Sequence, residues 1–303
     1  MIVQGIYRTK LEKYRVLVDD RLRQAVTEEK NPRIRALLWA AVENGRRFRP
    51  LLFILTYKLL GQEPDACAYE LAAAIEMLHK ASLLHDDLID GDDYRRGKPA
   101  FHRRYGPEKT IIVGDLLVAL AGTRFQRFAG PELTGDWLEL YRKLCYGEFL
   151  DVISGDEEVD RPFIEAMIYG KTAGFLEFIL GTAAALCQAP PSQQHLLAAF
   201  GREIGFLFQY LNDWNNWSGR ESAIGRPAGS DQAKGRVNLI TLLQQEGMAP
   251  EAIEEHLRLV LAAHRQKAGQ LLKSLGIKNK YTAFLGRLLN RRETDWYWTD
   301  PDG

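Results

Sequence analysis

Apolar residues recur at every third or fourth position along most of the chain, which is the spacing of one face of an α-helix. In the stretch ACAYELAAAIEMLHKASLLHDDLID, Leu71, Ile75, Leu78, Ser82 and His85 share one such face, and the frequent alanines favour a helix. Strand-like alternation of apolar and polar residues is nearly absent. Besides that stretch, the pattern predicts helices at roughly 7–29, 33–43, 50–61, 107–128, 132–154, 161–187, 192–217, 235–247, 249–273 and 279–290.

Two polar segments, 91–106 and 218–235, interrupt this pattern, and both contain glycine and basic residues. Neither has the composition of an interdomain linker, and the sequence contains no repeat of fixed period. We therefore predict one all-α domain over residues 1–303. It would be a bundle of about ten or more helices around a central apolar cavity, with ligands bound between the helices.

The composition is that of an ordinary globular protein, with 46% hydrophobic and 26% charged residues. The 40 basic residues balance the 40 acidic ones, so no field of the whole molecule favours a nucleic acid partner. Cys67, Cys145 and Cys187 are widely separated, as expected of buried thiols in a reducing compartment. No apolar run approaches the roughly 18 residues of a membrane span, and the N-terminal residues lack the apolar core of a signal peptide. These features predict a cytoplasmic protein without an integral membrane segment.

The segment LHDDLIDGDDYRRG carries the strongest chemical signal. On a helix, Asp86 and Asp90 lie one turn apart on the same face, with Asp87 beside them. Like charges this close repel each other, and the C-terminal end of a helix disfavours anions, so bound cations would relieve both penalties. Carboxylates of this kind suit Mg²⁺. Acidic runs are more often solvated turns, but Arg95 and Arg96 follow here, and guanidinium groups suit phosphate oxygens.

A weaker version of this pattern appears in GFLFQYLNDWNNW. Asn212, Asp213 and Asn216 repeat the spacing of the three aspartates, and Gln209 stands just before them. An amide oxygen can bind Mg²⁺ but brings no charge, so we expect a lower affinity than three carboxylates would give.

The segment LLHDDLIDGDDYRRGKPAFH resembles the first aspartate-rich motif of the trans-isoprenyl diphosphate synthases, the polyprenyl synthetase family, in which DDxxD precedes an RRG turn. NGRRFRP (44–50) resembles the family's GGKRxRP stretch, and GRPAGSDQAKGRVNL (225–239) resembles its GKPxGxDxxxGKxTL loop. VGDLL, GEFLD, KTA and the FQ before the second motif follow in family order. The resemblance extends over most of the chain and identifies residues 1–303 as a single polyprenyl-synthetase-like domain.

The resemblance implies a Mg²⁺-dependent prenyltransferase that condenses an allylic diphosphate with isopentenyl diphosphate. Ionisation of the allylic C–O bond gives a carbocation, the isopentenyl double bond attacks it, and a proton is then lost. Up to three Mg²⁺ ions would bridge the two motifs and the allylic diphosphate. The family's usual assembly, a homodimer, is implied as well.

The same resemblance implies roles for individual residues. Those that would hold Mg²⁺ are Asp86, Asp87, Asp90, Asp213, Asn212 and Asn216. Those that would face the allylic diphosphate are Arg95, Lys171, Thr172, Gln209, Arg226 and Arg236. Those that would hold isopentenyl diphosphate are Arg46, Arg49, His79 and Arg96. The catalytic set would be Asp86, Asp87, Asp90, Lys171, Gln209 and Asp213.

Several departures from the family pattern leave alternatives open. Residues 46, 226 and 236 are arginine where the family has lysine, Asn238 replaces a threonine, and the second motif has lost two carboxylates. Class I terpene cyclases share the fold and the ionisation step, but their second motif ends in glutamate where this chain has Arg220. Cyclases also need no isopentenyl diphosphate pocket, so the basic residues kept here favour chain elongation. A non-catalytic subunit of a heteromeric synthase is the third alternative, although such subunits more often lose the first motif.

Product length is predicted from the helix face that precedes the first motif. Ala81, Leu78 and Ile75 lie five, eight and eleven residues before Asp86. In the family an aromatic residue at the first of these positions limits products to short chains, so Ala81 predicts a product of C20 or longer unless another helix closes the tunnel.

Aromatic residues elsewhere are expected to be structural. Phe125 and Phe128 are candidates for a tunnel floor. Helical spacing predicts core packing for Tyr146, Phe149, Phe175 and Phe178.

Overall fold

The computed structural model describes residues 2–218 and 235–289. Most of these residues are helical, and the only strands among them are two of two residues each, which confirms the all-α prediction. The helices are α1 (Ile2–Thr27), α2 (Pro32–Val42), α3 (Phe48–Leu59), α4 (Ala66–Ile89), α5 (Phe101–Tyr105), α6 (Pro107–Ile153), α7 (Arg161–Ile168), α8 (Gly174–Leu186), α9 (Pro191–Trp217), α10 (Leu239–Gln245), α11 (Pro250–Ser274) and α12 (Lys280–Leu288). A π-helical segment, Tyr169–Ala173, joins α7 to α8.

Helix starts follow local capping signals in the sequence. The side chain of Asn31 accepts a hydrogen bond from the backbone N–H of Arg33, and Pro32 follows it as the first residue of α2. Asp65 caps α4 by accepting from the backbone N–H of Ala68. Because α4 starts there and runs for 24 residues, its C-terminal end coincides with the aspartates of the first motif.

The two predicted helices at 107–128 and 132–154 are the two halves of α6. Gly130 between them has non-helical angles (φ 84°, ψ 176°), which glycine tolerates, and Pro131 follows it. Trp137 in the second half stacks on Phe125 in the first (6.0 Å between ring centroids) and lies against Gly122. In a straight helix Gly122 and Trp137 would be about 22 Å apart. The chain therefore reverses at Gly130, and the halves of α6 pack antiparallel.

The predicted helix at 161–187 is interrupted, because the π-helical segment separates α7 from α8. The polar segment 91–106 contains an antiparallel hairpin of β1 (Tyr94–Arg95) and β2 (Lys98–Pro99), followed by α5. Arg96 and Gly97 form its turn, and both have positive φ, as type I′ hairpin turns require. This tight turn directs the hairpin back towards the end of α4.

Helix α4 is surrounded by α1, α2, α3, α5 and α6. It runs antiparallel to the first half of α6, since His85 near its end lies 3.4 Å from the carbonyl of Ile111, whereas Cys67 near its start donates to the carbonyl of Phe128. Gly114 allows His85 to approach α6 this closely, because a Cβ on Gly114 would lie 2.1 Å from Nε2 of His85. The aspartates are thus carried at one end of a central, buried helix.

The aromatic residues predicted for the core divide into two groups. Phe175 is buried and Phe178 packs half-buried against the core, as predicted. The prediction was wrong for Tyr146 and Phe149, which are 54% and 56% exposed. Cys145 beside them is exposed as well, contrary to the expectation of a buried thiol. The physical reason is that this half of α6 turns another face to the core, formed by Leu140, Leu144, Gly147 and Leu150.

Candidate active site

Asp86, Asp87 and Asp90 of the first motif are buried or half-buried and paired with cations. Arg95 donates to Asp86 (Nη2 to Oδ2, 3.0 Å) and also to Asp87. Arg236 lies 3.3 Å from Asp90. The side chains of Asp87 and Asp90 are only 5% and 8% exposed, so their charges would be costly without such partners. These three carboxylates are therefore largely removed from solvent, unlike those of a solvated turn.

Lys171 reaches the same group from the π-helical segment. Its Nζ lies 3.4 Å from Asp86, 2.6 Å from Asp151 and 2.9 Å from Glu148. Burial disfavours the charge of Lys171, but the three carboxylates outweigh that effect and raise its pKa. Burial also raises the pKa of Glu148, although Lys171 opposes it. Lys171 is consequently a fixed cation among carboxylates.

Glu148 and Asp151 are site residues to which we assigned no role from the sequence. One carboxylate oxygen each of Asp90, Glu148 and Asp151 lie within 4.8 Å of one another. Oε1 of Glu148 is buried and has no hydrogen-bond partner within 2–218 and 235–289. The sequence signal for these two residues is their spacing in GEFLD, which places both acids on one helix face. Glu148 and Asp151 bring two carboxylates to a site whose second motif has amides at two positions where the family has carboxylates.

Glycines allow the π-helical segment to approach its neighbours this closely. A Cβ on Gly170 would lie 2.5 Å from the Cα of Gly147 in α6, and one on Gly147 would lie 2.5 Å from the backbone nitrogen of Lys171. On the other side, a Cβ on Gly205 of α9 would lie 2.4 Å from the Cα of Ala173. The segment therefore fits between α6 and α9 because these positions lack side chains.

The second motif lies on α9, beyond the π-helical segment. The hydroxyl of Thr172 donates to Oε1 of Gln209 (3.1 Å), whose Nε2 donates to Asp213 (2.9 Å). Asp213 and Asn216 are buried, and Asn212 is half-buried. Because Thr172 directly follows the lysine that contacts the first motif, a single segment links both motifs.

The residues after position 234 are fixed to the end of α6. Arg236 donates to the backbone carbonyl of Asp151 (2.7 Å) in addition to its contact with Asp90. Asn238, where the family has threonine, caps α10 in a reciprocal capping box with Thr241. Asparagine and threonine both cap helices, so this departure preserves the local structure. Arg226 lies outside the described residues.

A second group of cations lies where the loop between α2 and α3, together with the first turn of α3, meets α4. Nη1 of Arg49 lies 3.1 Å from Nε2 of His79, and its guanidinium stands over the ring of Phe175 at 5.2 Å. Burial and the charge of Arg49 hold the pKa of His79 well below its usual value, so the neutral ring accepts a hydrogen bond from Arg49. Arg46 is half-buried in the same loop, and Arg96 is exposed at the hairpin turn. The basic residues thus form two groups with different surroundings.

The family described as Polyprenyl synthetase matches the chain over residues 31–275. This chain belongs to the polyprenyl synthetase family. The match confirms the resemblance and the expectation of a prenyltransferase of the isoprenyl diphosphate synthase type.

Relatives within the polyprenyl synthetase family differ in their named products. A protein of Methanothermobacter thermautotrophicus named short chain isoprenyl diphosphate synthase is 32% identical over 266 residues, covering 85% of this chain and 80% of its own. An octaprenyl diphosphate synthase of Haemophilus influenzae is 30% identical and covers 70% of this chain and 66% of its own. The names therefore support the family's reaction type without fixing the product of this polyprenyl synthetase.

The fold agrees with a solved structure. A polyprenyl synthase of Caulobacter crescentus superposes with a TM-score of 0.79 at 24% identity, over 95% of this chain and 96% of that one. No helix of this polyprenyl synthetase within the described ranges combines the length and hydropathy that crossing a membrane requires.

Proposed function

We propose that this polyprenyl synthetase condenses an allylic diphosphate with isopentenyl diphosphate. The observation that carries the proposal is the presence of two groups of cations, one around the first motif and one around Arg49 and His79. Each group suits a diphosphate, because guanidinium and ammonium groups bind phosphate oxygens. Two diphosphates are needed when two substrates are joined, whereas a cyclase needs only one.

The reaction breaks the allylic C1–O bond, and the bonding electrons leave on the diphosphate. C4 of isopentenyl diphosphate attacks C1, and a proton passes from C2 to an oxygen of the released pyrophosphate. Lys171 and Gln209, with Arg95 and Arg236, would stabilise the leaving group, and Arg46, Arg49, His79 and Arg96 would place the second substrate. The protein thus contributes electrostatic stabilisation and orientation.

The acidic groups fit Mg²⁺, and we propose up to three ions. The buried Oε1 of Glu148 and the oxygen-only donor set are what this hard cation prefers. The residues that would hold it are Asp86, Asp87, Asp90, Asp213, Asn212 and Asn216, together with Glu148 and Asp151. Bound Mg²⁺ would neutralise charge on the diphosphate and so ease ionisation.

We propose a product of C20 or longer. Ala81, Leu78 and Ile75 are each 1% exposed, so this face of α4 points into the interior, with only a methyl group at the position nearest the aspartates.

A large aromatic group lies further from Asp86 along α4 than Ala81, Leu78 and Ile75 do. Phe125 lies against Trp137 and Phe178, with 6.0 and 5.6 Å between ring centroids. Its neighbour Arg124 lies 3.5 Å from Glu70, so Phe125 is close to the level of Glu70 on α4. Glu70 precedes Asp86 by 86 − 70 = 16 residues, or about 24 Å of helix. We propose this aromatic group as the tunnel floor. Phe128, the other candidate, is half-buried one turn further on.

We also propose a homodimer formed through the outward face of α6. Its exposed apolar residues are Ile111, Ile112, Leu138, Tyr146, Phe149 and Val152. Since the halves of α6 are antiparallel, with Gly122 level with Trp137, the isoleucines come level with Tyr146 and Phe149. Apolar surfaces of this kind mark protein interfaces. A single domain over 1–303 and a cytoplasmic location stay predictions.

The decisive experiment incubates the purified chain with Mg²⁺, allylic diphosphates of several lengths and labelled isopentenyl diphosphate. We expect label in a longer diphosphate, and the variant Asp90→Asn should lose at least about a hundredfold in rate. Asp93→Asn is the matched control, because Asp93 lies exposed just before β1 and pairs with the exposed Arg103 of α5. Hydrocarbon or alcohol formed without label would indicate a cyclase instead. Activity that required an added partner chain would indicate a heteromeric subunit.

A further inference from the structure

Arg47, the middle arginine of NGRRFRP, faces the protein interior. It is 2% exposed and adopts the left-handed conformation (φ 53°, ψ 30°) immediately before α3. This conformation is uncommon for a residue other than glycine and persists where surrounding contacts enforce it. The contacts of the side chain should therefore show what holds the loop in place.

The guanidinium of Arg47 joins three helices. Nε donates to Asp19 of α1 (2.6 Å), and Nη1 donates to Glu76 of α4 (2.9 Å). Nη2 donates to the carbonyls of Val42 (2.6 Å) and Glu43 (3.1 Å), which are exposed at the C-terminal end of α2. One side chain thus fixes the start of the loop relative to α1 and α4.

Glu76 depends on this arginine. Its side chain is 1% exposed, Oε1 accepts from Arg47, and Oε2 is buried with no hydrogen-bond partner among residues 2–218 and 235–289. The loop crosses directly above the pair, since a Cβ on Gly45 would lie 2.7 Å from Nη1 of Arg47 and 3.1 Å from Oε1 of Glu76. Lys80, one turn after Glu76, donates to the carbonyl of Asn44 in the same loop.

We infer that Arg47 and Glu76 are a positioning pair for the isopentenyl diphosphate half of the site, an inference that rests on the proposed function. Arg46 directly precedes Arg47 in the loop, Arg49 follows it in the first turn of α3, and His79 lies one turn beyond Glu76 on α4. The pair therefore sets the separation of loop and helix, and with it the 3.1 Å contact between Arg49 and His79. Neither member of the pair touches the substrate.

The test is the steady-state kinetics of Arg47→Lys, which keeps the charge and loses the planar fork. We expect the KM for isopentenyl diphosphate to rise about tenfold, with the KM for the allylic diphosphate within about twofold and kcat within about threefold. Arg124→Lys is the matched control, because Arg124 is also buried (4% exposed) and paired with Glu28 and Glu70 near the other end of α4. Arg124→Lys should lower the urea midpoint of unfolding by about as much as Arg47→Lys does, and it should leave both KM values unchanged.

Glu76→Gln provides a second variant if Arg47→Lys does not fold, because it keeps the shape and the acceptor oxygen. Its KM for isopentenyl diphosphate should rise in the same selective way. A wild-type chain that turns over both substrates, with variants that change neither KM or both equally, would overturn this inference alone. A wild-type chain that neither consumes isopentenyl diphosphate nor binds it in calorimetry would overturn the proposed function and the inference together.

Discussion

Asp86, Asp87 and Asp90 lie at the end of a helix whose dipole disfavours them, and each contacts a basic residue that follows it in the chain. Those partners, Arg95, Arg236 and also Lys171, are groups that a diphosphate would attract. A bound diphosphate would therefore draw the cations towards itself and release carboxylate oxygens for metal. If the proposed function holds, this exchange of partners would couple substrate binding to metal binding at the scale of single residues.

Ala81→Phe tests the chain-length proposal at one residue. A phenyl ring in an open tunnel should shorten the product with little loss of stability, whereas a ring forced into a packed core costs about 1–3 kcal/mol. Chromatography of the dephosphorylated products, together with urea unfolding, separates the two cases. Phe125→Ala is the complementary variant and should lengthen the product. An unchanged product from Ala81→Phe would show that the floor lies elsewhere.

At the scale of elements, the π-helical segment Tyr169–Ala173 decides the geometry of the site. Such segments interrupt the regular hydrogen bonding of a helix and occur frequently at functional sites. Here consecutive residues contact the acids of α4 and α6 on one side and Gln209 of α9 on the other. The approach depends on backbone contact at Gly147, Gly170 and Gly205.

Gly170→Ala should disturb this arrangement. The new Cβ would lie 2.5 Å from the Cα of Gly147 and 2.9 Å from the carbonyl oxygen of Lys143, so the segment must shift. We expect a loss of about 1–3 kcal/mol in the free energy of unfolding and a fall in kcat of up to about a hundredfold as Lys171 is displaced. Gly135→Ala is the matched control, because nothing lies within 4 Å of its Cβ, and it should stabilise by about 0.5–1 kcal/mol. Equal behaviour of the two variants in unfolding and turnover would contradict this account.

At the scale of the whole molecule, the reversal at Gly130 makes α6 a helical hairpin with one face on α4 and another facing outwards. The buried face supplies Glu148 and Asp151 to the site. The outward face carries the apolar side chains of Tyr146 and Phe149. A dimer formed there would pack directly behind the site and restrain the helix that carries two of its acids.

The double variant Tyr146→Glu with Phe149→Glu tests that interface. Charges on an exposed face change monomer stability by only about 0.5 kcal/mol, but in an apolar interface they would be desolvated without partners. Light scattering coupled to gel filtration should show a dimer for the wild type and a monomer for the variant. Leu259→Glu, at an exposed position of α11, is the control and should remain dimeric. A monomeric wild type would refute the proposal.

The local sequence determined where helices begin and which side chains share a helix face. The capping residues Asn31 and Asp65 fix where α2 and α4 begin, and helical periodicity places Asp86, Asp87 and Asp90 together at the end of α4. The family motifs then predicted the reaction type, which the comparisons support. These features were predictable because capping and side-chain spacing act over a few residues.

The tertiary structure decided which surfaces meet. Periodicity shows which residues share a helix face, but it does not show whether that face meets solvent, core or another helix. Tyr146 and Phe149 are exposed for that reason, although their spacing predicted a core. Arg47 is buried although Arg46 and Arg49 of the same basic stretch are only half-buried, and Glu148 joins the acids of α4 from a distant part of the chain. Such contacts depend on close approach of helices at glycines, which long-range packing alone sets.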